Sequence, residues 1–258
     1  MKLVILAGGL GTRIAEYSHM IPKPMIRIGT RPIIWHIMKY YSEYKINDFI
    51  ICSGYKSEEI KNYFSNYFIN NSDFEVDLND GKINILKKSN ENWKVKVIFT
   101  GEYTETGGRI KKIEKYIDDD NFCLTYGDGL SNVNLKKLIK NHIQSKKIVT
   151  LTAVQQKSKF GSVAIKKNTV TSFTEKPSEK RNKISGGFFV ISKDIFKYLN
   201  NNKNLNFEKD ILSNLGSRKQ INAYIHNGFW QCMDNQRDKN LLDSLWQKGK
   251  APWKIWKI

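Results

Sequence analysis

Short, continuous apolar runs alternate with segments of helical periodicity over roughly the first 154 residues. The first run, residues 3–7, ends abruptly at Gly8-Gly9, which is typical of a strand buried on both faces. Further strands of this kind are predicted at residues 49–53, 95–100, 122–126 and 148–154, and helices at residues 32–41, 57–68, 109–116 and 135–143. Ser57 is placed to cap the second helix. The alternation predicts an α/β fold with a mixed, mostly parallel sheet and right-handed crossovers.

The pattern changes at residues 70–95, where apolar and polar residues alternate on both sides of Asp80-Gly81, which predicts an inserted β-hairpin. Beyond residue 155 the chain becomes rich in strands, predicted at residues 162–165, 169–174, 187–191 and 221–226, before a last helix over 237–247. No linker rich in Pro, Gly or Ser divides the chain. We therefore expect a single domain, 1–258, with a first part at about 1–154, a substrate-binding second part at about 155–235 and a C-terminal helix over 236–258.

The composition adds a strong basic balance of 43 Lys+Arg against 25 Asp+Glu, a formal net charge of +18. Only seven of these cations are Arg, and the lysines are scattered, which favours a solvated surface over a nucleic-acid interface, where planar guanidinium groups are preferred. A nucleic-acid-binding role stays open as an alternative. No run approaches the ~18 apolar residues of a membrane span. Three isolated cysteines without a C-x-x-C motif indicate reduced thiols in the cytoplasm.

A glycine loop, Gly8-Gly9-Leu10-Gly11-Thr12-Arg13, follows the first strand. Glycines there let backbone N–H groups converge on a polyphosphate, although a plain tight turn needs glycine as well. The loop is not the G-x-G-x-x-G dinucleotide motif, because Ile14 stands at its last position, and no Gly-Lys-Ser/Thr closes a P-loop. Lys23, between two prolines, follows before the next helix. Arg13 and Lys23 thus lie beyond the carboxyl end of a strand, where open α/β sheets bind ligands.

Two aspartates each lie just past the end of a predicted buried strand: Asp128 in Tyr126-Gly127-Asp128-Gly129, and Asp234 at the end of Trp-Gln-Cys-Met-Asp. As a pair, such carboxylates can hold Mg²⁺ while leaving positions for phosphate oxygens and water. An aspartate of this kind taken alone is more often a turn former or a helix cap. The acidic run 118–120 is a competing candidate, which we interpret as a solvated helix end.

These motifs resemble a known family. Gly-Gly-x-Gly-Thr-Arg followed by Pro-Lys-Pro is similar to the signature of nucleoside triphosphate:sugar-1-phosphate nucleotidyltransferases. Stretches beyond the signature resemble the cytidylyl branch of that family, namely residues 32–38, 48–52, 106–109, 126–129, 228–231 and 249–253. The resemblance extends from residue 1 to about 254.

The resemblance implies a Rossmann-like nucleotidyltransferase fold that transfers a cytidylyl group from CTP to glucose 1-phosphate, for deoxysugars of a surface polysaccharide. It implies Arg13 and Lys23 as catalytic residues, and Asp128 and Asp234 as Mg²⁺ ligands. The nucleotide contacts that it implies are Leu6, Ala7, Gly8, Gly9, Leu10, Gly11, Thr12, Arg13, Lys23, Thr104, Arg109 and Asp128. Glu175, Lys176 and Gly187 are implied on the sugar-phosphate side.

It further implies a homo-oligomer, a hexamer by analogy, with no nucleic-acid or membrane partner. Ser185 stands where the family usually carries Asn, so the same chemistry with a different sugar phosphate stays open. The same chemistry with a different pyrimidine triphosphate stays open too, as does a non-catalytic protein that binds nucleotide sugars.

Overall fold

A seven-stranded sheet forms the centre of the computed structural model, which describes residues 1–11, 14, 20–87, 91–155, 162–166, 169–174 and 183–256. The strands in these ranges are β1 (Leu3–Ala7), β2 (Arg27–Ile28), β3 (Arg31–Pro32), β4 (Asp48–Ser53), β5 (Asp73–Asp77), β6 (Lys82–Lys87), β7 (Lys94–Phe99), β8 (Asn121–Tyr126), β9 (Gly129–Ser131), β10 (Val149–Gln155), β11 (Ser162–Lys166), β12 (Thr169–Thr174), β13 (Lys183–Ser192), β14 (Ile221–His226) and β15 (Trp230–Cys232).

The central sheet has the order β14-β10-β13-β8-β1-β4-β7. Strand β1 is parallel to β4 and β8, β4 is parallel to β7, and β10 is parallel to β14. Strand β13 runs antiparallel to both β8 and β10. The predicted mixed, mostly parallel sheet is confirmed, but β13 separates β8 from β10, which we expected to follow each other in one β-α-β series.

Helices cover both faces of the sheet. They are α1 (Ile33–Ser42), α2 (Ser57–Ser65), α3 (Tyr67–Asn70), α4 (Thr106–Lys112), α5 (Leu135–Ser145), α6 (Ser213–Ser217) and α7 (Gln236–Gln247), with 3₁₀ turns at Lys23–Met25, Glu114–Tyr116 and Lys193–Tyr198 and a π-helical turn at Phe207–Leu212. None of the helices described is both long and apolar enough to cross a membrane.

The two faces of β1 show why its sequence is continuously apolar. Leu3 and Ile5 pack into one buried cluster together with α1, whereas Val4 and Leu6 pack into a second cluster on the opposite face. All four side chains are buried, so alternation of polar and apolar residues is absent. The three-layer arrangement leaves the carboxyl ends of the strands as the edge at which a ligand site forms.

Two local predictions were wrong. Ser57 begins α2 but does not cap it, because its buried hydroxyl pairs with the hydroxyl of Ser53 at 2.7 Å; the preceding Lys56 takes a left-handed conformation with φ of 50°. The C-terminal helix does not extend to residue 258. It ends at Gln247, where Gly249, with φ of 65°, turns the chain, and residues 248–256 continue without helix.

The inserted hairpin is confirmed: β5 and β6 pair antiparallel across the turn at residues 78–81. It carries exposed apolar side chains, namely Phe74, Val76, Leu78, Ile83 and Leu86. Strand β7, next to the hairpin in sequence, forms one edge of the central sheet. This region therefore combines an exposed apolar surface with a sheet edge.

Candidate active site

A cavity of about 520 Å³ lies at the carboxyl ends of β1 and β8, beside the loop that follows β7. Of the residues expected to contact a nucleotide, the described ones all line it: Leu6, Ala7, Gly8, Gly9, Leu10, Gly11, Lys23, Thr104, Arg109 and Asp128. Residues 6–11 form one wall, residues 102–106 another, and residues 126–128 a third. The topology thus brings together segments that lie far apart in the sequence.

Lys23 joins the two predicted carboxylates. Its ammonium Nζ lies 2.5 Å from Oδ2 of Asp128 and 2.9 Å from Oδ1 of Asp234. Burial alone lowers the pKa of Lys23, but the charge of Asp128 and hydrogen bonds to both aspartates outweigh it and raise the pKa above its ordinary value. Lys23 is therefore a permanent cation, held at the edge of the cavity between two acidic groups.

A short pair of strands brings Asp128 and Asp234 together. Strand β9, which begins just after Asp128, pairs antiparallel with β15, which ends two residues before Asp234. The backbone N–H of Met233 donates to the carbonyl of Asp128 at 2.9 Å and closes the pair. A strand before Asp234 was expected and is confirmed as β15, whereas β9 was not predicted, because three residues carry too little periodicity to identify a strand.

The donor set suits a divalent cation. Carboxylate oxygens of Asp128 and Asp234 lie within 4.8 Å of each other and of Cys232 Sγ. The two oxygens converge on a single cation, the Lys23 ammonium, which shows that they can share a positive charge. Burial raises the pKa of the Cys232 thiol, so the anionic donors are the two carboxylates. Hard oxygen ligands of this kind fit Mg²⁺.

The Arg109 guanidinium is bonded to the protein itself and is not free to bind a phosphate group. It is buried and donates to the carbonyls of Ser53, Gly101, Glu102 and Gly8 and to the Thr100 hydroxyl, at 2.7–3.1 Å. It thereby connects the carboxyl ends of β1, β4 and β7. The terminal N–H groups are directed at the chain itself, so the predicted nucleotide contact of Arg109 remains a prediction.

Gly8 owes its identity to this guanidinium. A Cβ atom at Gly8 would lie 2.1 Å from Nη1 and 2.3 Å from Cζ of Arg109. At the neighbouring Gly9, a Cβ atom would meet nothing within 4 Å. The first glycine of the loop is therefore required by packing against Arg109, whereas the second leaves open space on the cavity side.

The wall formed by residues 102–106 is supported from behind by residues 202–208. The Glu105 N–H donates to the carbonyl of Lys203 at 2.8 Å, and the Gly108 N–H donates to the carbonyl of Leu205 at 3.1 Å. A Cβ atom at Gly107 would lie 2.8 Å from that same Leu205 oxygen. Close backbone contact therefore explains this glycine, beyond the simple helix start that the sequence suggested.

A family model named Nucleotidyl transferase matches residues 2–234, which include the cavity walls and both aspartates. The chain belongs to the nucleotidyl transferase family. It is 45% identical over 257 residues to the glucose-1-phosphate cytidylyltransferase of Salmonella typhimurium, covering 99% of this chain and 100% of that one. It is 41% identical over 256 residues to the probable glucose-1-phosphate cytidylyltransferase of Bacillus subtilis, with 99% and 100% covered.

Solved structures of nucleotidyltransferases share the fold of this family member. HddC from Yersinia pseudotuberculosis, solved also in complex with GMP-PN, superimposes with a TM-score of 0.69 at 25% identity, over 95% of this chain and 99% of that one. UDP-glucose pyrophosphorylase in complex with UDP-glucose gives a TM-score of 0.67 at 18% identity, over 96% and 98%. The Rossmann-like fold expected from the sequence is confirmed.

The residues expected on the sugar-phosphate side are described only in part. Gly187 has φ of 75°, and a Cβ atom there would lie 2.6 Å from the ring of Tyr126, so the glycine lets β13 pass close to the cavity wall. Ser185 accepts a long hydrogen bond from the Gly187 N–H at 3.4 Å. The predicted site residues Thr12, Arg13, Glu175 and Lys176 lie outside the described residues.

The acidic run 118–120 has a structural role that the sequence did not reveal. Lys2 forms ion pairs with Asp118 and Asp119, and the N-terminal amine pairs with Asp119 at 3.5 Å. These contacts hold the start of β1 at the amino ends of the strands, away from the cavity at their carboxyl ends. Our interpretation of the run as a solvated helix end was therefore incomplete, because it did not include these ion pairs.

Proposed function

We propose that this chain transfers a cytidylyl group from CTP to α-D-glucose 1-phosphate, giving CDP-glucose and pyrophosphate. The observation that carries this proposal is the full-length likeness, at 45% identity, to the Salmonella enzyme of that name, in a chain whose cavity brings Lys23 to Asp128 and Asp234. We further propose, from the family resemblance, that this CDP-glucose supplies the synthesis of deoxysugars for a surface polysaccharide.

The reaction needs alignment and charge neutralisation more than acid–base chemistry. A phosphate oxygen of glucose 1-phosphate attacks the α-phosphorus of CTP, and the bond from that phosphorus to the bridging oxygen of the β-phosphate breaks. Pyrophosphate leaves with the electron pair of that bond. Because the nucleophile is already an anion, no general base has to remove a proton.

Lys23 is placed to neutralise charge in this step. It is a buried cation that lines the cavity together with the loop of residues 6–11 and Asp128. We assign it the position between the α-phosphate and the attacking phosphate, and we assign Arg13 and the amides of the loop to the outer phosphates of CTP. Removal of such a contact typically costs a factor of ~10²–10³ in kcat.

Asp128 and Asp234 are the residues that would hold Mg²⁺. When bound, the ion supplies positive charge beside the phosphate oxygens. The same two carboxylates hold the Lys23 ammonium, so substrate binding has to draw Lys23 from the aspartates towards phosphate. The shared pair of carboxylates thus keeps the lysine side chain extended into the site.

Recognition of the base is assigned to the wall that contains Thr104. Thr104 is buried, and it opens the segment whose backbone is held by residues 203–205. Cytosine carries an amino donor where uracil carries an oxygen acceptor, so one backbone carbonyl of this wall is enough to discriminate the two. Glu175, Lys176 and Gly187 are assigned to glucose 1-phosphate.

The test is conversion by purified protein. With CTP, glucose 1-phosphate and Mg²⁺, we expect equal amounts of pyrophosphate and CDP-glucose, measured by a coupled phosphate assay and by chromatography. Lys23→Ala and Asp128→Asn, purified identically, control for contaminating activity and should be at least ~100-fold slower. Parental rates in these variants would contradict the assignment of the site.

We also propose that the chain acts as a homo-oligomer in the cytoplasm, a hexamer by family resemblance. The exposed apolar side chains of the β5–β6 hairpin and the sheet edge at β7 support a contact between copies. Light scattering should give a multiple of the 30.0 kDa chain mass, whereas a mass of 30.0 kDa would contradict the proposal.

A further inference from the structure

Glu208 contacts two walls of the cavity at once, although no motif in the sequence marks it. Its Oε2 accepts a hydrogen bond from the Thr106 hydroxyl at 2.8 Å, and its Oε1 accepts one from the Tyr126 hydroxyl. Both hydroxyl-bearing residues line the cavity, whereas Glu208 itself does not. Each oxygen of this half-buried carboxylate thus holds a different segment of the site.

The Thr106 contact is closed from both sides. The Thr106 hydroxyl donates to Glu208 and accepts from the backbone N–H of Phe207 at 2.8 Å. The turn that carries Glu208 is itself fixed, because the Asn206 side chain accepts from the N–H groups of Glu208 and Lys209 at 3.1 and 2.9 Å. Glu208 therefore sits on a π-helical turn that is bonded to the base-side wall, and π-helical turns are frequent at functional sites.

The Tyr126 contact reaches the metal side. Tyr126 ends β8, two residues before Asp128, and its ring lies against Gly187 and edge-on to Phe189. Glu208 thereby fixes the residue from which the Asp128 loop departs.

We propose that Glu208 is a positioning residue for the nucleotidyl transfer, which sets the spacing between the base-side wall at Thr106 and the Asp128 loop beyond Tyr126. This inference rests on the proposed function, since it concerns the same cavity. Residues that hold a triphosphate and a divalent cation must be placed to within a fraction of an ångström for in-line attack. A carboxylate that accepts one hydroxyl from each wall provides that constraint from outside the cavity.

The two contacts predict separable effects on the kinetic constants. Thr106→Val keeps the shape of the side chain but removes the bond on the nucleotide side, so it should raise KM for CTP about tenfold with little change in kcat. Tyr126→Phe keeps the ring but removes the bond on the metal side, so it should lower kcat about tenfold. Glu208→Ala should do both, with a loss of about 100-fold in kcat/KM.

Conservative replacement and a neighbouring substitution complete the test. Glu208→Gln retains an oxygen acceptor and an amide that both hydroxyls can engage, so it should recover most of the activity lost in Glu208→Ala. Lys209→Ala, next to it on the same turn and exposed, should behave as the parent. A purely structural role of Glu208 predicts instead a lower unfolding midpoint without the separation of KM and kcat between Thr106→Val and Tyr126→Phe.

The parent and the variants decide different questions. Turnover of the parent with CTP and glucose 1-phosphate decides the proposed function, and the ratio of each variant to the parent, with whichever substrate pair the parent uses, decides the role of Glu208. Hydrogen exchange of the nucleotide-free protein decides it without turnover, since Glu208→Ala should speed exchange at residues 105–109 and 126–129. If Glu208→Ala fails to fold, Tyr126→Phe and Thr106→Val carry the test. Parental exchange and kinetic constants within about twofold of the parent in the folded variants would overturn the proposal.

Discussion

Replacing Gly8 with alanine places a methyl group against the buried guanidinium of Arg109. The added carbon would lie 2.1 Å from Nη1 and 2.3 Å from Cζ, whereas carbon atoms in contact need roughly 3.5 Å. The guanidinium therefore has to move by about an ångström or more. Such a movement breaks the bonds to the carbonyl of Gly8, now 2.9 Å, and to the Thr100 hydroxyl, now 2.7 Å.

The expected loss of stability follows from these contacts. Each hydrogen bond from a charged donor contributes ~1.5–3 kcal/mol, and overpacking of a dense region costs ~1–3 kcal/mol. With two bonds disturbed and the overpacking added, we expect Gly8→Ala to lower the free energy of unfolding by roughly 4–9 kcal/mol. Gly9→Ala is the matched control: its methyl group meets nothing within 4 Å, so its effect should stay within about 1 kcal/mol.

Urea unfolding followed by tryptophan fluorescence measures these differences. Gly8→Ala combined with Arg109→Ala should be no less stable than Arg109→Ala alone, because the guanidinium that the methyl group collides with is gone. Gly54→Ala should gain no such rescue, since its Cβ atom also meets the backbone oxygen of Gly8 at 2.7 Å. Equal effects of Gly8→Ala and Gly9→Ala, or additive effects of Gly8→Ala and Arg109→Ala, would refute this account of the glycine loop.

Burial lowers the pKa of His36 and of His142 to about 4, below an unfolded value of about 6.5. The free energy of unfolding is therefore highest above pH 6.5 and decreases as the pH falls towards 4, because the unfolded state binds protons that the folded state does not. At pH 5 each histidine should lower the free energy of unfolding, measured with urea, by about 2 kcal/mol, and His36→Gln should make this free energy less dependent on pH. A free energy of unfolding that does not change between pH 7 and 5 would contradict this. Lys23→Met removes the cation that Asp128 and Asp234 share. Calorimetry on the nucleotide-free variant should therefore show Mn²⁺ or Mg²⁺ binding at least ~10-fold tighter than in the parent, while turnover is lost. Unchanged affinity would show that the ammonium does not compete with the metal ion for the carboxylates. Excess chelator should stop turnover and added Mg²⁺ should restore it, whereas turnover that persists in chelator would exclude the Asp128–Asp234 metal site.

Several strands of the sheet could be predicted to within one or two residues, because their own run of apolar residues identifies them. Strands β1 and β4 are buried on both faces, so each appears in the sequence as an apolar run that ends at a polar residue or glycine; β8 is similar, although it includes the buried Thr125. The position of Lys23 beside the first strand could be predicted for the same reason, because it follows that strand closely in sequence.

Contacts between segments far apart in the chain could not be predicted from any pattern in the sequence. The pairing of β9 with β15 involves only three residues on each side, yet it brings Asp234 to Asp128 from a distant part of the sequence, which only the family resemblance suggested. Arg109 shows the same limit, since a basic residue after a strand indicates a ligand contact equally well as a buried link between three strand ends. Glu208 lies in a polar segment without a motif, and its importance becomes apparent only where Thr106 and Tyr126 meet it.

The most direct test of the central claim is a matrix of nucleoside triphosphates against sugar 1-phosphates, with pyrophosphate release as the readout and product mass as confirmation. CTP, UTP, dTTP and GTP are each paired with glucose 1-phosphate, mannose 1-phosphate and galactose 1-phosphate in the presence of Mg²⁺. We predict the highest kcat/KM for CTP with glucose 1-phosphate and a product with the mass of CDP-glucose. A higher kcat/KM for another pair, or no release with any pair from a folded protein, would contradict the account.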